Sequence, residues 1–97
     1  MDVFRFIWDE QKNRANQKKH GVSFDEARSV FYDENARLIY DHEHSMDEDG
    51  FIILGSSIML RLLVVVHCYK EAEDVIRIIS ARKATRSEKK QYEEFLK

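Results

Sequence analysis

"LLVVVHCYKEAEDVIRIISARKATRSEKKQY", Leu62 to Tyr92, is the stretch whose reading decides the fold. Val64 to Val66 sit in a run that is apolar at every position, so both faces of that strand need cover and it belongs inside a sheet. A short polar connection leads to a second β-branched run, "DVIRIISAR", and connections that short join antiparallel neighbours. Thr85 with Glu88 then forms a capping box, and Tyr92, Phe95 and Leu96 supply the apolar stripe of a last helix.

Working outward, "FIILGSS" reads as a further strand and "ARLIYD" as a weak one, with the acidic loop "HEHSMDEDG" between them. Nearer the start, "VFRFIW" is β-branched and aromatic enough to be a strand. "DEQKNRANQKKHG" predicts a mostly polar helix capped by Asp9 and stopped at Gly21. In "VSFDEARSVFYD" Ser23 and Glu26 make a capping box, Val22 and Ala27 a possible staple, and Phe24, Ala27, Val30 and Phe31 share one helical face. The expected order is βαα, then four strands as an antiparallel meander, then α. We therefore expect one α+β domain over residues 1–97, with the helices packed on one sheet face and the other face partly free.

A chain of 97 residues, 43% hydrophobic and 35% charged, without Pro or low-complexity runs, has the composition of a globular domain. The longest apolar run, Leu62 to Val66, is far short of the roughly 20 residues of a membrane span, and "MDVFRFIWDEQ" lacks the regions of a signal peptide, so a cytoplasmic protein without membrane contact is expected. Cys68 is the only cysteine and lies among apolar residues, as a packing thiol does.

Charge is unevenly distributed. Arg77, Arg82, Lys83, Arg86, Lys89 and Lys90 face a single acid, Glu88, whereas the stretch from Asp33 to Asp49 is acidic except for Arg37. A basic end beside an acidic middle fits a polyanion on one surface and a basic partner on another, and equally a pair of solvated loops. Arg77 interrupts an apolar strand, and simple alternation puts it on one face with Val75, Ile79 and Ala81. Arg82, Lys83 and Arg86 follow at the strand end and in the first turn of the last helix, where cations oppose the macrodipole and a bound phosphate would relieve the cost. Pairing with Glu71, Asp74 or Glu88 is the structural alternative.

In "KKHGVSF", Lys18, Lys19 and His20 favour the negative end of the first helix, and the same residues have the chemistry to move protons or neutralise phosphate. His67, within a central strand, reads as structural. "YDHEHSMDED" matches no strong zinc spacing, so neither metal nor other cofactor is expected, and nothing resembles a phosphate-binding glycine loop or a nucleophile elbow.

"FIWDEQKNRANQKKHGVSFDEARSVFYD", "FIILGSS", "LLVVVHCY" and "IRIISARKATRSEKKQYE" together resemble the BrnT family of bacterial type II toxins. The most specific pieces are W-D-x-x-K-N-x-x-N-x-x-K-H-G-V-S-F, from Trp8 to Phe24, and R-I-I-S-A-R-K-A-T, from Arg77 to Thr85. The resemblance implies a RelE-like fold and an endoribonuclease that inhibits translation. It also implies a ribbon-helix-helix, DNA-binding antitoxin encoded alongside, a heterotetramer of two toxins and two antitoxins, and contact with operator DNA through the antitoxin. Carried onto this chain, the motifs point to Lys19, His20, Arg77, Arg82 and Lys83 as catalytic residues acting on RNA. Similar proteins commonly have E-R-F-I-x-L-G where this chain has "DGFIILG", so Gly50 stands at a usual arginine position, which implies weakened activity.

Without a metal, cleavage would use the 2′-OH of the RNA, with a base, an acid and cations over the developing charge. Arg77 and Arg82 are expected at the phosphate and Lys19, His20 or Lys83 in proton transfer. A non-enzymatic binding module and a metal-dependent phosphodiesterase using "DHEH" are the alternatives.

Overall fold

The computed structural model describes residues 4–40 and 50–96. The elements are β1 (Arg5–Ile7), α1 (Glu10–His20), α2 (Phe24–Ser29), a 3-10 turn (Val30–Tyr32), β2 (Arg37–Tyr40), β3 (Gly50–Ser56), β4 (Leu62–Lys70), a second 3-10 turn (Glu71–Glu73), β5 (Val75–Lys83) and α3 (Arg86–Phe95). The strands form one sheet in the order β1-β5-β4-β3-β2. β2 to β5 make the antiparallel meander, and β1 returns to the far edge parallel to β5. β4 is central, as its two apolar faces require.

Caps delimit the helices where the side chains dictate. Asp9 accepts from the N–H groups of Gln11 and Lys12, and Gly21 ends α1 at φ 68°, a left-handed conformation that costs glycine little. Ser23 accepts from the Glu26 N–H, and Thr85 and Glu88 form the full reciprocal box at α3. At α2 only half the expected box exists, because the Glu26 carboxylate is spent on Arg61 and Ser57. Val22 and Ala27, the expected staple, are both fully buried in one cluster.

That cluster joins Val22, Phe24, Ala27 and Val30 to Ile53, Leu63, Val65, Ile78 and Ala81 on the sheet face under α1 and α2. A second, smaller cluster lies on the opposite face, where Leu54, Val64 and Ala84 pack with Ile52, Leu62 and Tyr92 of α3. The expectation that all helices share one face is therefore corrected: α3 lies across the sheet from α1 and α2. The reason is strand parity. Ile53 pairs with Val65 and Leu54 with Val64, so neighbouring apolar pairs point to opposite faces, and each face needs a cover. Gly55 allows the chain after the 3-10 turn to approach β3, since a Cβ there would meet Ala36 Cβ and Val30 Cγ1 at 2.9 Å.

Candidate functional site

β5 carries three of the five candidate residues, Arg77, Arg82 and Lys83, and its course is not uniform. Leu63 to Val66 pair with Lys83 to Ser80, but His67 pairs with Ile78, so Ile79 is an extra residue in a bulge. The bulge reverses the alternation of side chains along β5. Arg77 is opposite Cys68, and Arg82 is opposite Val64, both on the face that α3 covers in part. Five residues apart in a regular strand, these arginines would point to opposite faces. Ala81 instead joins the buried cluster under the helices, so the expected grouping of Arg77 with Ile79 and Ala81 is corrected by the bulge. Along the strand the two arginines are about 15 Å apart between Cα atoms.

Arg82 is held firmly. Its Nη1 and Nη2 donate to Glu88 Oε1 and Oε2 at 2.8 and 2.9 Å, and Glu88 Oε1 also accepts from the Thr85 N–H at 2.8 Å. The Arg82 hydrogen bonds, opposed by burial, hold the Glu88 carboxyl down at about 2, and the same pairing raises Arg82. One carboxylate thus caps α3 and orients an arginine of β5, which ties the helix to the strand end.

Lys19 and His20 occupy the last turn of α1 on the other side of the sheet. The Asn16 amide fixes that helix, donating to the carbonyls of Val22 and Ala81 at 2.8 Å and accepting from the Ala81 N–H at 3.1 Å. β1 ends opposite Arg77, so Ala81 lies beyond its reach and the Asn16 side chain serves the strand edge in its place. Asn13 accepts from the Phe24 N–H at 2.9 Å. These two asparagines of the N-x-x-N motif are therefore structural. α1 ends beside the end of β5, with Lys19 exposed, His20 half-buried and Lys83 exposed.

The five residues expected in the site divide accordingly: Arg77 and Arg82 share one face, Lys19 and His20 belong to the helix layer behind it, and Lys83 stands at the rim. A polar network that sequence spacing did not reveal borders the rim. Glu26, almost wholly buried, receives Arg61 in a two-pronged pair and the Ser57 hydroxyl at 2.7 Å, and Arg61 also donates to the Gly21 carbonyl at 3.0 Å. Hydrogen bonding from Arg61 lowers Glu26 against the effect of burial. Its partners are 35 and 31 residues away, too distant for any local signal.

His67 is buried, with its ring edge-on to Phe31 at 4.7 Å, and burial pushes its imidazole down to about 4. It is neutral packing, as expected. His42 and His44 of the acidic loop lie outside the described residues. Among the described residues no three His, Cys, Asp or Glu side chains converge as a metal-ligand set, and no helix is long and apolar enough to cross a membrane.

Residues 8–88 match the family described as the ribonuclease toxin, BrnT, of type II toxin-antitoxin systems. The chain belongs to the BrnT family. The matched span takes in both motifs of the sequence and ends on Glu88, the carboxylate that orients Arg82. The fold is similar to that of the Brucella abortus ribonuclease toxin, BrnT, seen in a crystal structure. The TM-score is 0.66 at 22% identity, over 87% of this chain and 100% of the other. Among curated proteins the chain has no match. Membership in the BrnT family makes this a toxin-type chain for which ribonuclease activity and an antitoxin partner are the family's own terms.

Proposed function

We propose that this chain is a metal-independent endoribonuclease that cuts RNA through the RNA's own 2′-OH and thereby inhibits translation. In this reading the antitoxin is a ribbon-helix-helix protein that binds two toxins per two antitoxins and brings the assembly to operator DNA. The observation that supports the catalytic reading most is the bulge at Ile79, which turns Arg77 and Arg82 to the same face. Two guanidinium groups on one surface, with Cα atoms about 15 Å apart, are suited to two phosphates along one RNA backbone, one of them the phosphate where charge develops. Arg77 is assigned to the phosphate. Arg82, oriented by Glu88, offers the N–H groups that Glu88 does not use, and proton transfer is assigned to Lys83 at the rim rather than to Lys19 and His20, which lie behind the sheet from the two arginines.

Gly50 favours a second reading, a toxin of weakened activity. Gly50 pairs with Cys68, and Cys68 pairs with Arg77, so the three form one cross-strand row on the same face. An arginine at position 50 would have its Cα about 10 Å from that of Arg77, within joint reach of one RNA backbone.

The test is cleavage of a labelled RNA, in the presence of chelator, by the antitoxin-free protein and its Arg77→Ala and Gly50→Arg variants. Arg77→Ala should lower the cleavage rate about 100-fold with the fold intact, since one charge-stabilising donor contributes on the order of 3 kcal/mol. Gly50→Arg should raise the rate. Loss of cutting in chelator would overturn metal independence, and full activity in a folded Arg77→Ala protein would remove Arg77 from the site.

A further inference from the structure

The turn between β3 and β4 holds Ile58, Met59 and Leu60 outward, 79, 63 and 89% exposed. Hydrogen bonds prevent it from folding them in. The Ile58 N–H donates to Ser29 Oγ at 2.8 Å, and Ser57 Oγ accepts from the N–H groups of Met59 and Arg61 at 3.2 and 3.3 Å. Ser57 is itself anchored on the buried Glu26. Leu60 has φ 60°, a left-handed conformation that is costly for leucine. A strained, fully tethered turn that presents large apolar side chains to water is the structure of a contact surface, since nothing in folding alone rewards it.

Beside the turn, a groove of about 480 Å³ runs to α3. Leu60, Leu62, Tyr92 and Leu96 give it apolar walls, and Lys83 and Lys89 stand over it. Among the described residues neither lysine has an ion pair, although Lys83 acts on the buried Glu26 at longer range, and Glu93 is the one carboxylate on the wall. Apolar walls beside lysines that hold no close ion pair complement an amphipathic peptide whose apolar stripe is flanked by Asp or Glu. The aliphatic lip that Leu60 gives the groove favours such a peptide over RNA, which binds by phosphate charge and by stacking on aromatic faces.

We propose that this groove, with the β3–β4 turn as its lip, is the docking surface for an acid-flanked amphipathic segment of the antitoxin. The inference rests on the toxin-antitoxin reading above. A segment seated there covers Lys83, next in sequence to Arg82, so docking and inhibition of cleavage occur at one place.

The experiment titrates the purified antitoxin encoded by the adjoining gene onto the wild-type chain, Leu60→Asn and Lys89→Glu by calorimetry. Asparagine tolerates the left-handed conformation, so Leu60→Asn keeps or raises Tm while it removes the apolar lip. Its Kd is expected to rise about tenfold or more, with RNA cleavage unchanged. Lys89→Glu should weaken binding by a similar factor and reduce its salt dependence. A Kd within about twofold of wild type for both variants would overturn the proposal. So would impaired RNA cleavage by Leu60→Asn at unchanged antitoxin affinity, which would give the groove to RNA. A wild-type chain that binds no antitoxin would instead bring down the toxin-antitoxin partnership on which the proposal rests.

Discussion

The two faces of the sheet are held by different physics. Under α1 and α2, fully buried Phe24, Val22, Ala27 and Val30 meet β-branched residues of the sheet, and the buried amides of Asn13 and Asn16 are both hydrogen-bonded as donor and acceptor. α3 on the opposite face buries no residue fully and is secured by polar clamps at intervals. Glu88 holds Arg82, the Tyr92 hydroxyl donates to Asp33 at 2.6 Å, and the Arg37 guanidinium lies 3.2 Å over the Phe95 ring. Stability thus resides on the helix face, while the face with Arg77 and Arg82 keeps the half-exposed polar surface that a substrate or partner needs. Core packing tolerates little change, whereas a clamp can be exchanged for an intermolecular contact at small cost.

The sharpest way to break this contrast is truncation in the core. Phe24→Ala should cost about 4 kcal/mol in denaturant unfolding, since it empties the space between Trp8, α2 and the sheet. A loss no larger than that caused by removing an α3 clamp would erase the distinction.

Acid separates the faces next. His67 stays neutral in the fold down to about pH 4, whereas the unfolded chain takes up a proton near the ordinary 6.5. Stability is therefore complete above pH 6.5 and falls as pH drops toward 4, by up to about 3 kcal/mol. His67→Phe, which keeps the packing against Phe31, should abolish that slope in unfolding measured against pH. Glu88 acts in a lower window. Its carboxylate is favoured in the fold, so its contribution is present above the ordinary 4.5 and is lost as pH falls toward about 2. A single acid transition between pH 4 and 2, unchanged by His67→Phe, would contradict the burial of His67.

The smallest effect is expected at α3. Tyr92→Phe removes one hydrogen bond to Asp33, which still accepts from the N–H groups of Ser56 and Asn35, and should cost about 1 kcal/mol. In the intact protein, burial and then the Asp33 hydrogen bond push the Tyr92 hydroxyl up to about 12, so it remains a donor throughout the neutral range. A loss comparable to that of Phe24→Ala would mean that α3 belongs to the core.

Much of the fold was legible in the sequence because its signals are local. Asp9, Gly21, Ser23, Thr85 and Glu88 set helix ends through bonds that span at most a few residues. The apolar run Val64 to Val66 marked a central strand because strand burial is written residue by residue. The basic residues of the candidate site were also visible, as charges inside or just beyond an apolar strand. Their arrangement was not. Alternation assigned Arg77 to the face of Ala81, and nothing in "IRIISARK" announces that Ile79 is the extra residue.

The sequence by itself determined the order of elements, the caps, the central strand and the identity of the basic residues, all of which follow from interactions between near neighbours. Only the tertiary structure decided that α3 crosses to the other face, that Arg77 and Arg82 point the same way, and that Glu26 is spent on Arg61. These depend on cross-strand register and on contacts between distant residues. Such pairings are selected by how the whole sheet packs, and no stretch of chain specifies them alone.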